Sequence, residues 1–234
     1  SAKFFFRPDA PTIVKRRYIQ GYLVTKLFEV SFFSHQQPAS EIQETLRQYL
    51  AGVIQDHDLV VVADFGHGLM CPAVIDLLCK QARFLAVNCQ TNSVNLGYNV
   101  INKYPCAHYI CLDEEEVRLA CRDQHGSLKS LIEQIAENLN CQVMAVTRGY
   151  RNSMIHERGN GFFEIPVFSR EVVDTIGAGD AFLSITAACA GKGYPAELIG
   201  FVGNAVGALG VRTIGNKEPI THLPLFRFIT TLLK

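Results

Sequence analysis

This sequence predicts a three-layer α/β fold with a mainly parallel central sheet and a small β lid. Three observations lead there. Short continuous apolar runs such as Leu59-Val60-Val61-Val62-Ala63 and Val143-Met144-Ala145-Val146 read as strands buried on both faces. Longer amphipathic segments alternate with these runs, which implies right-handed crossovers and helices on both sides of the sheet. Late in the chain, the turn Gly177-Ala178-Gly179 feeds directly into the small, apolar run Ala181-Phe182-Leu183-Ser184-Ile185-Thr186-Ala187-Ala188, which reads as a buried helix.

Taken in order, Thr12-Ile13-Val14-Lys15-Arg16-Arg17-Tyr18-Ile19 and Lys26-Leu27-Phe28-Glu29-Val30-Ser31-Phe32-Phe33 are β-rich runs separated by Gln20-Gly21. They predict two antiparallel lid strands within residues 10–35, standing off an α/β core that occupies residues 40–234. Residues 40–55 read as an amphipathic helix, with Ser40 as N-cap and Ile42, Leu46, Tyr49, Leu50 and Val53 on one face. The first core strand ends at Asp64-Phe65-Gly66-His67-Gly68. Ligands bind at the carboxyl ends of strands in open α/β sheets, so a carboxylate and two glycines there mark a candidate pocket. A helix over 71–83 and the strand Phe84-Leu85-Ala86-Val87-Asn88 come next, followed by the polar stretch Gln90-Thr91-Asn92-Ser93-Val94-Asn95-Leu96-Gly97-Tyr98-Asn99, whose partner the sequence does not reveal. The strand His108-Tyr109-Ile110-Cys111-Leu112 runs into Asp113-Glu114-Glu115-Glu116 and the helix Val117-Arg118-Leu119-Ala120-Cys121, and a further helix covers 128–139. The strand Val143-Met144-Ala145-Val146 meets Thr147-Arg148-Gly149. A hairpin across Arg158-Gly159-Asn160-Gly161 delivers the chain to Asp174. Beyond the buried helix, Gly191-Lys192-Gly193-Tyr194-Pro195 is a break; residues 198–211 read as a helix rich in Ala and Gly, ended by Arg212-Thr213-Ile214-Gly215.

Composition bounds the function. The chain has 234 residues, 48% hydrophobic and 19% charged, ordinary for a folded globular protein and enough for a large core. Its 22 basic and 22 acidic residues leave a formal charge of zero, which gives no electrostatic pull toward nucleic acid or anionic lipid. No apolar stretch approaches the length of a membrane span, and the eight cysteines contain no Cys-x-x-Cys pair, so the expectation is a cytoplasmic protein with reduced, mostly buried thiols.

The chemistry concentrates in Asp174-Thr175-Ile176-Gly177-Ala178-Gly179-Asp180. The first N–H groups of a helix lack internal partners and together carry about half a positive charge, so they suit a phosphate or a developing oxyanion. Asp180 at that mouth is placed either to take the proton of an attacking hydroxyl or simply to cap the helix. No Lys-Ser or Lys-Thr follows the glycines, which excludes a Walker A loop, and the third glycine of a dinucleotide fingerprint is absent.

The heptad Asp-Thr-x-Gly-Ala-Gly-Asp resembles the second signature of the ribokinase-like (PfkB-type) carbohydrate kinases, and other segments place the chain nearest the heptose-7-phosphate kinase branch. The resemblance implies a ribokinase-like fold, with Asp180 as catalytic base and Gly177, Ala178 and Gly179 as anion hole. It implies ATP and Mg2+ as cofactors, with K+ a further candidate. Thr147, Arg148 and Gly149 fall where the family contacts nucleotide phosphates, and Asn204 and Gly207 lie in a segment resembling the one beside the adenine; close helix packing explains those small residues equally. Asp113 and Glu116 align with the family's Asn-x-x-Glu near the magnesium, or else they serve the first turn of a helix. Asp64, His67, Lys15, Arg17 and Asn88 are the substrate-side candidates. His67 stands where the branch carries Lys, and a solvated lid face accounts for Lys15 and Arg17 as well as a ligand does.

The expected reaction is transfer of the γ-phosphoryl of Mg-ATP to a hydroxyl of a sugar or sugar phosphate, with no nucleic-acid or membrane partner and with a homodimer or a longer parent chain as context. The chain starts at the lid, so the N-terminal part of the family domain, including its Gly-Gly segment, is expected to lie elsewhere. The alternatives are a nucleoside or other small-alcohol kinase of the same fold, a catalytically degenerate nucleotide-binding domain, or a piece of a larger bifunctional sugar kinase/nucleotidyltransferase.

Overall fold

The computed structural model describes residues 2–20, 25–34, 36–92, 94–169, 171–214 and 217–234. Gly21 of the expected lid turn, Ser93 of the polar stretch and Gly215 lie outside the described residues. In the lid, β1 (Val14–Gln20) pairs antiparallel with β2 (Thr25–Phe32), in a register running from Val14 opposite Phe32 to Gln20 opposite Thr25. Tyr18 stacks on Phe28 with ring centroids 4.5 Å apart, the kind of cross-strand aromatic pair that stabilises a two-stranded ribbon.

The central sheet holds β3 (Val60–Asp64), β4 (Leu85–Cys89), β5 (Tyr109–Asp113), β6 (Val143–Thr147), β7 (Asn152–Glu157) and β8 (Gly161–Pro166), ordered as in the sequence. β3 to β6 are parallel and the β7–β8 hairpin adds two antiparallel strands, so the sheet is mixed and mostly parallel. Strand residues alternate between two cores. Leu85, Val87, Ile110, Leu112, Met144 and Val146 pack toward α1 (Ser40–Val53), α2 (Pro72–Gln81), α3 (Glu114–Cys121) and α4 (Leu128–Asn138). Ala86, Tyr109, Cys111 and Ala145 face α5 (Ala178–Gly191) and α6 (Ala196–Gly210). Burial on both faces is why β4, β5 and β6 read as unbroken apolar runs; β3, expected to be buried on both faces too, stands at the sheet edge with Val61 and Ala63 exposed. All eight cysteines are free thiols and five are buried. Among the described residues no helix is long and apolar enough to cross a membrane.

Two elements depart from the sequence reading. The N-cap of α1 is Ala39 rather than Ser40, and it makes no side-chain cap bond. An additional helix, α7 (His222–Leu232), buries Leu225 and packs Phe228 and Ile229 near α6. Pro224 conceals it in the sequence; in the first turn, where a backbone N–H needs no helical partner, proline does no harm.

α6 sits close to its neighbours through glycine. A Cβ on Gly203 would fall 2.5 Å from the Phe182 ring of α5, and one on Gly200 would fall 2.6 Å from Ile165 of β8. Gly207, one turn on, has open space where its Cβ would be. Gly203→Ala is therefore expected to destabilise the fold by about 1–3 kcal/mol through overpacking. Gly207→Ala is expected to stabilise it by roughly 0.5–1 kcal/mol through helix propensity. Urea denaturation of the two variants measures the contrast.

Candidate active site at the N-terminus of α5

Local backbone chemistry builds the entrance to α5. Asp174 Oδ1 accepts the Ile176 N–H at 3.0 Å, and the N–H groups of Val173 and Asp174 both reach the Val211 carbonyl, which ties the loop to the end of α6. Gly177, the N-cap, has φ of 77°, a left-handed conformation that glycine alone adopts without strain. The Ala178 N–H turns back to Thr175 O at 3.3 Å, and the first i→i−4 bond is Ala181 N–H to Gly177 O. The Gly179 and Asp180 N–H groups thus stand in the open first turn without a helical acceptor. Asp180 is not the cap. Its Oδ1 accepts the Gln90 Nε2–H at 2.7 Å, from a residue at the far end of β4.

A cleft of about 710 Å³ opens over this helix start. One wall carries Asn88, Gln90, Asp113 and Glu116 from the ends of β4 and β5, and the floor carries Gly177, Ala178, Gly179 and Asp180. Thr147 and Gly149 line it at the end of β6, while Val167, Phe168, Val172, Ala208 and Val211 give an apolar end beside Asn204 and Gly207. Asn204 Nδ2 donates to the Ile165 and Pro166 carbonyls, anchoring α6 to the end of β8. No Lys, Arg or His lines the cleft among the described residues.

The carboxylates on the β5 side form a capping box. Asp113 Oδ1 accepts the Glu116 N–H at 2.7 Å, and Glu116 Oε2 accepts the Asp113 N–H at 2.9 Å. Glu116 Oε1 also accepts the Thr91 N–H at 2.9 Å. Burial, with Asp113 beside it, pushes the Glu116 pKa up to about 7, and burial raises that of Asp113 too. Two crowded carboxylates, in a cleft without a basic side chain, are a donor set that a hydrated divalent cation fits; Mg2+ commonly takes one or two carboxylates and keeps its waters. Among the described residues no cluster of three or more His, Cys, Asp or Glu offers a full protein cage. Asn88 adds a second sign of a ligand. Its Nδ2 donates to Cys111 O at 2.8 Å, but its buried Oδ1 has no protein partner.

Comparison with known proteins adds the decisive observation. The model of the pfkB family carbohydrate kinases matches residues 22–223. The chain belongs to this family. Curated relatives include the bifunctional protein HldE of Citrifermentans bemidjiense, 28% identical over 79% of this chain and 39% of that protein, and HldE of Aliivibrio fischeri, 28% identical over 92% and 45%. The chain spans less than half the length of these relatives. Among solved structures, ribokinase from Thermotoga maritima superposes with a TM-score of 0.74 at 15% identity, covering 96% of this chain and 72% of that one. A Burkholderia thailandensis nucleoside kinase in complex with inosine gives a TM-score of 0.69 at 20% identity, covering 97% and 72%. The ribokinase-like fold follows from these likenesses.

Several candidates of this pfkB-family chain lie outside the cleft. The Arg148 guanidinium is engaged by Glu114 at 3.0 Å and by Asn152, and Glu114 also binds Arg118 and Arg151. Burial pushes the Glu114 pKa up, but the bonds from Arg148 and Arg118 outweigh it and hold the carboxyl below its usual value. Arg17 pairs with Glu29 across the lid at 2.7 Å. His67 lies near the Phe33 ring of the lid; burial and then the Lys15 charge lower its pKa, which favours the neutral ring. Asp64 is buried and saturated: Lys103 Nζ at 2.5 Å, the Tyr104 hydroxyl at 2.7 Å and the Gly66 N–H at 3.0 Å all reach its carboxylate. Sequence reasoning quoted Gln90 within the polar stretch without a partner; the contact to Asp180 bridges 90 positions, and no local pattern signals it.

The Asp64 arrangement has a consequence for stability. Lys103→Met leaves the buried carboxylate without its cation, and the expected cost is at the lower end of the ~3–5 kcal/mol seen when buried pairs are broken, because the Lys103 side chain is 30% exposed. Adding Asp64→Asn to Lys103→Met is expected to recover part of that loss in chemical denaturation. A purely ligand-binding Asp64 would show neither effect.

Proposed function

We propose that this chain carries the ATP-binding and catalytic part of a kinase that transfers the γ-phosphoryl of Mg-ATP to a hydroxyl of a sugar or sugar phosphate. The observation that carries the reading is Asp180, which lines the cleft in the first turn of α5 and whose carboxylate accepts from Gln90 instead of capping the helix. A phosphoryl group seated on the Gly179 and Asp180 N–H groups meets the positive end of the helix dipole, and Asp180 is positioned to accept the proton of an incoming hydroxyl. The apolar end of the cleft by Phe168, Val172 and Ala208 suits a nucleobase, with Thr147 and Gly149 between it and the helix. With no basic side chain on the described walls, the phosphate charge is balanced by the helix terminus and by a cation. Asp113 and Glu116 would hold Mg2+ through its waters, and the ion would supply charge neutralisation on the phosphates.

Family membership supports a carbohydrate as acceptor, and the resemblance to the heptose-7-phosphate kinase branch favours a sugar phosphate, while the inosine-bound structural neighbour keeps a nucleoside in the test panel. A nucleotide-binding domain without turnover is the second reading. It is favoured by Arg148 turned to Glu114 and by Asp64 clamped within the protein.

Calorimetric titration with Mg-ATP and ADP release against sugars, sugar phosphates and nucleosides separate the two. Asp180→Asn is expected to retain ATP binding while turnover falls by about 10²–10⁴-fold, as for loss of a general base. A Cβ on Gly179 meets nothing within 4 Å, so Gly179→Val folds but fills the anion site, and ATP binding is expected to vanish. Binding by the unsubstituted chain without ADP release from any acceptor would establish the silent domain.

A further inference from the structure

We propose that Gln90 is a positioning residue for Asp180, and that the asparagine-rich stretch after β4 is a strap built to deliver it; this rests on the reading of Asp180 as the base. Asp180 is exposed, so its carboxylate is free to rotate unless something holds it. Gln90 Nε2 donates to Asp180 Oδ1 at 2.7 Å. An ionised carboxylate only accepts, so the Gln90 amide must present its NH2 group to Asp180, and Oδ2 is left to face an incoming hydroxyl. In the transfer the acceptor oxygen bonds to the γ-phosphorus, the bond from that phosphorus to the oxygen bridging it to ADP breaks, and the hydroxyl proton passes to Asp180 Oδ2. A charge-assisted bond to Oδ1 fixes the carboxylate plane for that step.

The surroundings of Gln90 are tied down far beyond what a surface loop needs. The Gln90 N–H bonds Asp64 O at 2.8 Å, and Asn99 Nδ2 donates to both Asp64 O and Gln90 O. Asn92 and Asn95 each donate Nδ2 to Phe65 O, at 2.9 and 3.1 Å. The approach requires a bare backbone: a Cβ on Gly66 would fall 2.1 Å from Asn95 Nδ2. Thr91, next to Gln90, is pinned by Glu116 through its N–H. Asn99 therefore holds the Gln90 carbonyl directly, Glu116 holds the residue after it, and Asn92 and Asn95 tie the strap to Phe65. The strap explains a stretch that has no hydrophobic reason to be ordered.

The test is steady-state ADP release with the acceptor that gives the fastest turnover among sugars, sugar phosphates and nucleosides. Gln90→Ala is expected to lower kcat by roughly 10–100-fold with the KM for ATP changed by less than about two-fold. Gln90→Glu keeps the shape, loses the donor and faces Asp180 with a like charge, so it is expected to be slower than Gln90→Ala. A merely structural glutamine would give the opposite order. In an Asp180→Asn background the Gln90→Ala effect is expected to disappear. Gln90→Ala at wild-type kcat, with Asp180→Asn inactive, overturns the positioning role and leaves Asp180 as base. Asp180→Asn at wild-type kcat, or no turnover by the unsubstituted chain, overturns both.

Discussion

The buried hydrogen bond from the Tyr109 hydroxyl to Thr186 Oγ1, 2.7 Å long, sets where α5 stands on the sheet. Thr186 Oγ1 donates in turn to the Phe182 carbonyl within α5, so one chain of buried hydrogen bonds joins β5 to the helix backbone. Packing does the rest. The sheet face beneath α5 carries Ala86, Cys111 and Ala145, and Gly203 of α6 admits the Phe182 ring from the other side. Small residues let backbones approach closely, and a close-packed interior transmits position over a distance. The height of the α5 N-terminus above the strand ends, and with it the anion site, follows from contacts some two turns away from Asp180.

Electrostatics in the cleft is one-sided. Asp113, Glu116 and Asp180 line it, and no cation does so among the described residues. Nearby arginines are present, but Glu114 holds Arg148, Arg118 and Arg151 together in a separate cluster. Such a cleft accepts a polyphosphate only with a counter-cation and with the helix terminus contributing its partial charge. Glu116 links the two sides of the site. One of its oxygens takes the Asp113 N–H and the other takes the Thr91 N–H at the base of the Gln90 strap. Any change in charge at Glu116 therefore reaches both Asp113 and the strap that carries Gln90.

Beside β3, a different logic rules. Asp64 sits at the carboxyl end of a parallel strand, the place where ligands bind in this class of fold. Its carboxylate is instead filled by Lys103 and Tyr104 from the 3-10 turn Ile101–Lys103 and the residue after it. Burial of a carboxylate demands partners, and here the protein itself provides them. The result is a rigid corner from which the asparagine strap is hung.

Apolar runs alternating with amphipathic segments made the sheet and its covering helices legible, because burial on both faces leaves β4, β5 and β6 no polar side to show. Glycine spacing made the α5 entrance legible, since the left-handed Gly177 needs a residue without a side chain and Gly179 leaves open space above the first turn. The capping box at Asp113 and Glu116 is likewise a short-range pattern, even though its environment is not. What the linear chain could not disclose depends on distance in sequence. Pro224 concealed α7, whose stability comes from Leu225, Phe228 and Ile229 packing near α6 rather than from its own pattern. The turning of Arg148 toward Glu114, the pairing of Asp64 with Lys103 and the reach of Gln90 to Asp180 are contacts between 34 and 90 positions apart, chosen by which strand ends the sheet brings side by side. Local sequence determined that this protein has a helix start able to hold an anion; tertiary packing alone decided which side chains face it, because only packing sets the burial that forces each polar group to find a partner.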